Sequence, residues 1–169
     1  MLVPLREYLH TSYRPDCDYI DGTIVDRNVG QYEHARLQGL IVTALMNRER
    51  EWRIHVVPEQ RVRIRETRYR VPDVVVLAEG APHPRVIEQA PLLCIEVLSP
   101  EDRLSEIAER AYDYQTLGVE QTWIFDPVQK RVYVYSADGL HENAADHLLV
   151  LTHGAVRVEL LPAELFKQI

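Results

Sequence analysis

The chain has 169 residues and a net charge of −7, with 46% hydrophobic and 27% charged residues. That size fits one domain, 1–169, with a real core, and the acidic balance argues against non-specific coating of nucleic acid, which needs clustered Lys and Arg. No apolar run approaches the ~18 residues of a membrane span, and MLVPLREYLH lacks the apolar stretch of a signal peptide, so a cytoplasmic location is expected.

In chain order, residues 17–26, CDYIDGTIVD, alternate around Asp21-Gly22, which signals a β-hairpin. Residues 31–47 place Leu37, Leu40, Ile41, Ala44 and Leu45 at helical spacing. Residues 52–65 read as a strand broken at Pro58, and 69–78 and 91–98 as two buried strands. Residues 101–117 form a second helix with Leu104, Ile107, Ala108, Ala111 and Tyr114 on its inner stripe and Gly118 at its C-terminus. QTWIFDP is a fourth strand, and RVYVYSADGL opens a terminal hairpin around Asp138-Gly139. This order predicts an α/β fold: a central mixed sheet flanked by helices, with an N-terminal β-hairpin added.

Two carboxylates interrupt the buried strands. Asp73 follows Pro72 in the second, and Glu96 lies between Ile95 and Val97 in the third. Burying ionised carboxylates is costly without a partner. A divalent cation would satisfy both, because hard cations take carboxylates and water. Arginine pairing or loop capping would satisfy them equally well.

YRVPDVVVL, APLLCIEVLSPEDR and AYDYQTLGVEQTWIFDP, in this order and spacing, resemble the Uma-type restriction endonuclease family, which is similar to PD-(D/E)XK nucleases. The resemblance runs from about CDYIDG to VYVY. It implies a restriction-endonuclease-like core in which Asp73 and Glu96 hold Mg²⁺ or Mn²⁺, with the Val97 carbonyl as an extra ligand. It also implies DNA as the substrate. A homodimer would serve double-strand cleavage.

The superfamily pattern expects a lysine two residues after the glutamate, and that residue here is Leu98. The resemblance places the basic residue in the following helix, in a Lys-x-x-x-Tyr arrangement matched by Arg110 and Tyr114. Only Lys130 and Lys167 occur in the whole chain. Arginine stays protonated, so Arg110 would contact phosphate, supported by Tyr114, rather than act as a base. Arg103, Arg110 and Tyr114 share one helix edge, within about 40° at ~100° per residue. The alternative is an exposed Arg110 paired with Glu106 or Glu109.

Other candidates are weaker. His34 shares the apolar phase of the first helix, beside Glu33, and a lone histidine there is more often a hydrogen-bonded core residue than a ligand. Glu59, after Pro58, is a secondary metal candidate or a solvent-facing residue. Arg61, Arg63 and Arg65 alternate onto one strand face, which could track a phosphate backbone; a solvated face balanced by acids is the preferred reading. Cys94 reads as a small buried hydrophobe, and His141, His147 and His153 as surface residues. No nucleophile elbow or phosphate loop is present. The expectation is a metal-dependent endonuclease, with a degenerate interaction module or another phosphoesterase as alternatives.

Overall fold

The computed structural model describes residues 1–169. The elements are α1 (Leu5–His10), β1 (Asp18–Ile20), β2 (Thr23–Val25), α2 (Tyr32–Met46), α3 (Glu49–Trp52), β3 (Ile54–Pro58), β4 (Val62–Arg65), β5 (Arg68–Arg70) and β6 (Val74–Ala78). They continue with β7 (Leu93–Val97), α4 (Leu104–Leu117), β8 (Gln121–Asp126), β9 (Arg131–Ser136), β10 (Gly139–Asn143), β11 (Leu149–His153), β12 (Val156–Leu160) and α5 (Pro162–Phe166).

A six-stranded mixed sheet, β10-β9-β8-β7-β6-β3, forms the centre. Only β7 and β8 run parallel, joined through α4. The period of two along β6 and β7 sends alternate residues to opposite faces. Val74, Val76, Leu93, Ile95 and Val97 face the main core, where they meet Leu37, Ile41 and Leu45 of α2 together with β11, β12 and α5. On the other face, Cys94 packs with Tyr114 of α4, and Ile124 with Ile107 and Ala111. The helices therefore cover both faces, as the apolar runs required. No helix is long and apolar enough to cross a membrane.

The two strands predicted at 52–65 and 69–78 are each split between two sheets. β3 and β6 belong to the central sheet, whereas β4 and β5 join β1 and β2 in a second sheet of order β2-β1-β5-β4. One long antiparallel hairpin thus bends midway. At the bend Glu59 takes φ +52, Pro72 offers no N–H, and the Glu59 N–H donates to the Asp73 carbonyl at 3.2 Å. Asp73 consequently sits just before β6 rather than inside a strand.

The predicted N-terminal hairpin forms around Asp21 (φ +48) and Gly22 (φ +93), the positive-φ pair of a type I′ turn. It is not an isolated addition, because β1 pairs with β5. Helix α4 starts later than predicted, with Arg103 at its N-cap, and ends at Gly118 with φ +118. Leu104, assigned to the inner stripe, is exposed.

Candidate functional site

The antiparallel register of β6 and β7 pairs Val74 with Ile95 and Val75 with Cys94. Extended by one step, it sets Asp73 opposite Glu96; Glu96 meets Arg110 and Tyr114 of α4, and Asp73, just before β6, meets His34 of α2. Cross-strand neighbours stand ~5 Å apart at Cβ. The Val97 N–H donates to Asp73 Oδ2 at 2.7 Å and fixes the carboxylate there. Both residues are almost fully enclosed, at 2% and 3% exposure. They line one cavity of about 530 Å³ together with Asp18, Arg27, His34 and Arg110.

Asp73 is held from three sides. Arg27 Nη2 donates to Oδ1 at 2.6 Å, Val97 N–H donates to Oδ2, and His34 Nε2 lies 3.3 Å from Oδ2. Burial pushes this carboxyl up, but the His34 hydrogen bond and the Arg27 charge outweigh it and hold Asp73 below the usual range. For His34, burial opposes the charged ring, yet the bond to Asp73 prevails and raises its pKa. His34 is thus a buried hydrogen-bonded core residue, and its partner is a site carboxylate.

Glu96 has fewer partners. Arg110 Nε donates to Oε1 at 3.1 Å, and the Tyr114 hydroxyl donates to the same oxygen. Only this one oxygen is hydrogen-bonded. Burial, only partly offset by Arg110 and reinforced by the Asp73 charge, pushes Glu96 up to about 7. A carboxylate in that state is short of positive charge.

Arg110 does not stand free to meet a phosphate. Its Nη1 donates to Asp18 Oδ2, and its Nη2 donates to the Val71 carbonyl at 3.0 Å. Asp18 has no exposed surface. It also accepts from Arg70 Nη1 at 3.0 Å and from the Val71 N–H at 2.8 Å. Arg70 and Arg68 in turn share Asp113 of α4, each at 2.7 Å. A lattice of buried arginines and aspartates therefore backs the Asp73–Glu96 pair.

The structure brings Asp73, Glu96, Val97, His34, Arg110 and Tyr114 together. Arg103 does not join them: it is exposed at the N-cap of α4 and absent from the cavity lining. Glu59 sits at the bend outside the cavity, with its side chain 41% exposed and its Oε1 4.0 Å from Arg27 Nη1. The Arg61, Arg63 and Arg65 stripe does not form a basic face. Arg61 precedes β4, lies over the Tyr8 ring and pairs with Asp16, while Arg63 pairs with Glu88 and Arg65 with Asp21. Asp18 and Arg27 were not foreseen, since each sits in a short polar stretch with no periodic signal.

No three His, Cys, Asp or Glu side chains converge as a complete metal cage. The pair nevertheless fits a hard cation that takes one or two carboxylates and completes its shell with water and substrate oxygens. Glu96 lines the cavity with an oxygen to offer, and seven carboxylates against three arginines make the cavity acidic.

The fold matches the crystal structure of a "putative nuclease belonging to DUF820" from Anabaena variabilis ATCC 29413, with a TM-score of 0.82 and 21% identity over 98% of each chain. This restriction-endonuclease-like architecture is the class to which the chain's fold belongs. The chain belongs to the Uma2 family, described as "Putative restriction endonuclease", whose model matches residues 5–162. No curated protein matches the chain.

Proposed function

We propose that the chain is a divalent-metal-dependent nuclease that hydrolyses phosphodiester bonds of DNA at the Asp73–Glu96 site. The observation that carries this reading is the placement of two buried carboxylates, Asp73 at the entry to β6 and Glu96 in the neighbouring β7, in the wall of an acidic cavity. A Mg²⁺ or Mn²⁺ ion held there would polarise the scissile phosphate and activate the attacking water.

The chain's own residues prepare that site. Val97 N–H and His34 fix Asp73 Oδ2, whose other oxygen takes Arg27, and Tyr114 and Arg110 fix Glu96 Oε1, which leaves Glu96 Oε2 without a hydrogen bond. Asp18 holds Arg110 in place. Arg110 stays charged, so its part is to steady Glu96 and not to take a proton. The family's description supports DNA as the substrate, and cutting both strands would require two copies of the site.

A second reading is a non-catalytic module on the same fold. It is favoured by the cavity lining, which contains no lysine. Plasmid cleavage separates the two. The nuclease reading expects nicking with Mg²⁺ or Mn²⁺, none in EDTA, and none from folded Asp73→Asn or Glu96→Gln. A folded wild type that leaves DNA intact with both metals, or an Asp73→Asn variant as active as wild type, overturns it.

A further inference from the structure

Resting on the reading that Asp73 and Glu96 take a divalent metal, we propose that Arg27 is the site's exchangeable cation. It occupies the metal-facing oxygen of Asp73 in the metal-free protein and gives it up when the metal loads.

The division of labour between the two oxygens of Asp73 points to this. Oδ2 is committed to the Val97 N–H and to His34. Oδ1 is the oxygen left for a cation, and its one partner is Arg27 Nη2 at 2.6 Å. A guanidinium therefore stands where a metal bound through Oδ1 would stand.

Arg27 differs from the other cavity arginines. Arg110 directs Nε to Glu96, Nη1 to Asp18 and Nη2 to Val71. Arg70 directs Nε to Asp113 and Nη1 to Asp18, with Nη2 3.5 Å from Glu109. Arg27 has a single hydrogen bond, and its Nη1 is the one buried side-chain nitrogen or oxygen in the protein without a partner. Its side chain is only 4% exposed, so that donor is cut off from water as well. Buried donors are nearly always paired, so an empty one marks a residue whose position is not set by stability alone.

The surroundings allow the exchange. Arg27 lies between β2 and α2, outside any helix or strand, so moving it breaks no ladder or helix bond. Glu59 offers a nearby destination, because its carboxylate lies 4.0 Å from Nη1 and is 41% exposed. A short shift toward Glu59 would satisfy the empty donor and clear Oδ1 together. Glu59 then acts as the counterion of the displaced arginine and not as a metal ligand.

Calorimetric titration of Mn²⁺ into the full chain tests this, using wild type, Arg27→Met, Glu59→Gln and the double variant, each checked for folding by circular dichroism. Arg27→Met is expected to bind Mn²⁺ at least tenfold more tightly than wild type. Glu59→Gln is expected to bind at least threefold more weakly, and that effect should vanish in the Arg27→Met background. Equal or weaker binding by Arg27→Met overturns the inference while leaving the metal reading intact. A Glu59→Gln effect that persists without Arg27 also overturns it, by making Glu59 a ligand. No Mn²⁺ binding by any of the four proteins overturns both the inference and the metal reading. If Arg27→Met does not fold, Arg27→Gln replaces it in the single and the double variant, with the same expected and overturning results.

Discussion

Asp18 in the first hairpin accepts a hydrogen bond from Arg110 of α4 across 92 positions of the chain. The same carboxylate oxygen takes Arg70, so one buried aspartate neutralises two guanidiniums. Asp18→Asn would leave both short of charge. Removing one partner of a buried ion pair costs about 3–5 kcal/mol. Urea denaturation should report a loss of that order, with unchanged stability as the result that refutes the lattice's importance.

Tyr114→Phe removes a single oxygen, the hydroxyl that donates to Glu96 Oε1. Packing against Cys94 and Val119 is retained. Losing a hydrogen bond to a buried charged group costs ~1–3 kcal/mol. The denaturation midpoint should fall accordingly without a change in slope, since the surface exposed on unfolding is preserved.

The raised pKa of Glu96 makes metal-free stability depend on pH with a definite sign. Burial lifts it from the ordinary 4.5 to about 7, so the folded state favours the protonated form. That contribution is fully present below pH 4.5 and is lost as pH rises through about 7. The change is on the order of 3 kcal/mol. Glu96→Gln mimics the protonated acid at every pH. In EDTA its melting temperature should exceed wild type at pH 8, and the two should converge near pH 4.5. Asp73 acts oppositely, since it is held low and its contribution fades only as pH falls below the ordinary 3.8. A Glu96→Gln advantage independent of pH would refute the assignment.

Among the arginines of the 61–70 segment, position decides importance. Arg61 is largely buried, makes two bonds to Asp16, donates to the Tyr8 and Thr11 carbonyls and covers the Tyr8 ring at 4.1 Å. Arg61→Ala should cost roughly 3 kcal/mol or more, because buried acceptors and a carboxylate lose their partner. Arg65 pairs with Asp21 at the surface, and Arg65→Ala should stay within ~0.5 kcal/mol. Thermal melts of the two variants check the contrast.

The carboxylates of the candidate site are legible in the sequence because charge in an apolar run is informative. PDVVV and LCIEV each carry one carboxylate among residues that must be buried, and strand pairing brings those two together. The helix phases of His34 and Tyr114 were readable for the same reason, as both lie on apolar stripes that pack inward. Arg27 and Asp18 carry no such mark. Their partners lie 46 and 92 positions away, and only the closed fold selects them. Arg103 misled because the helical wheel was extended to a residue that the helix does not include. The split strands misled for a related reason. Pro58 and Pro72 were visible as interruptions, but a break in one strand and a passage into another sheet look alike in sequence.

The pairing of Asp73 with Glu96 depends on the same strand register that buries Val74, Val76, Leu93 and Ile95 in the main core. A slip of one residue in β7 would exchange its two faces, sending Glu96 into the core and Ile95 toward the cavity. Correct folding alone therefore keeps the two acids close, independently of any chemistry there. Folding does not enforce the geometry in the same way at Arg27, which has a single hydrogen bond, or at Glu59, whose side chain is 41% exposed.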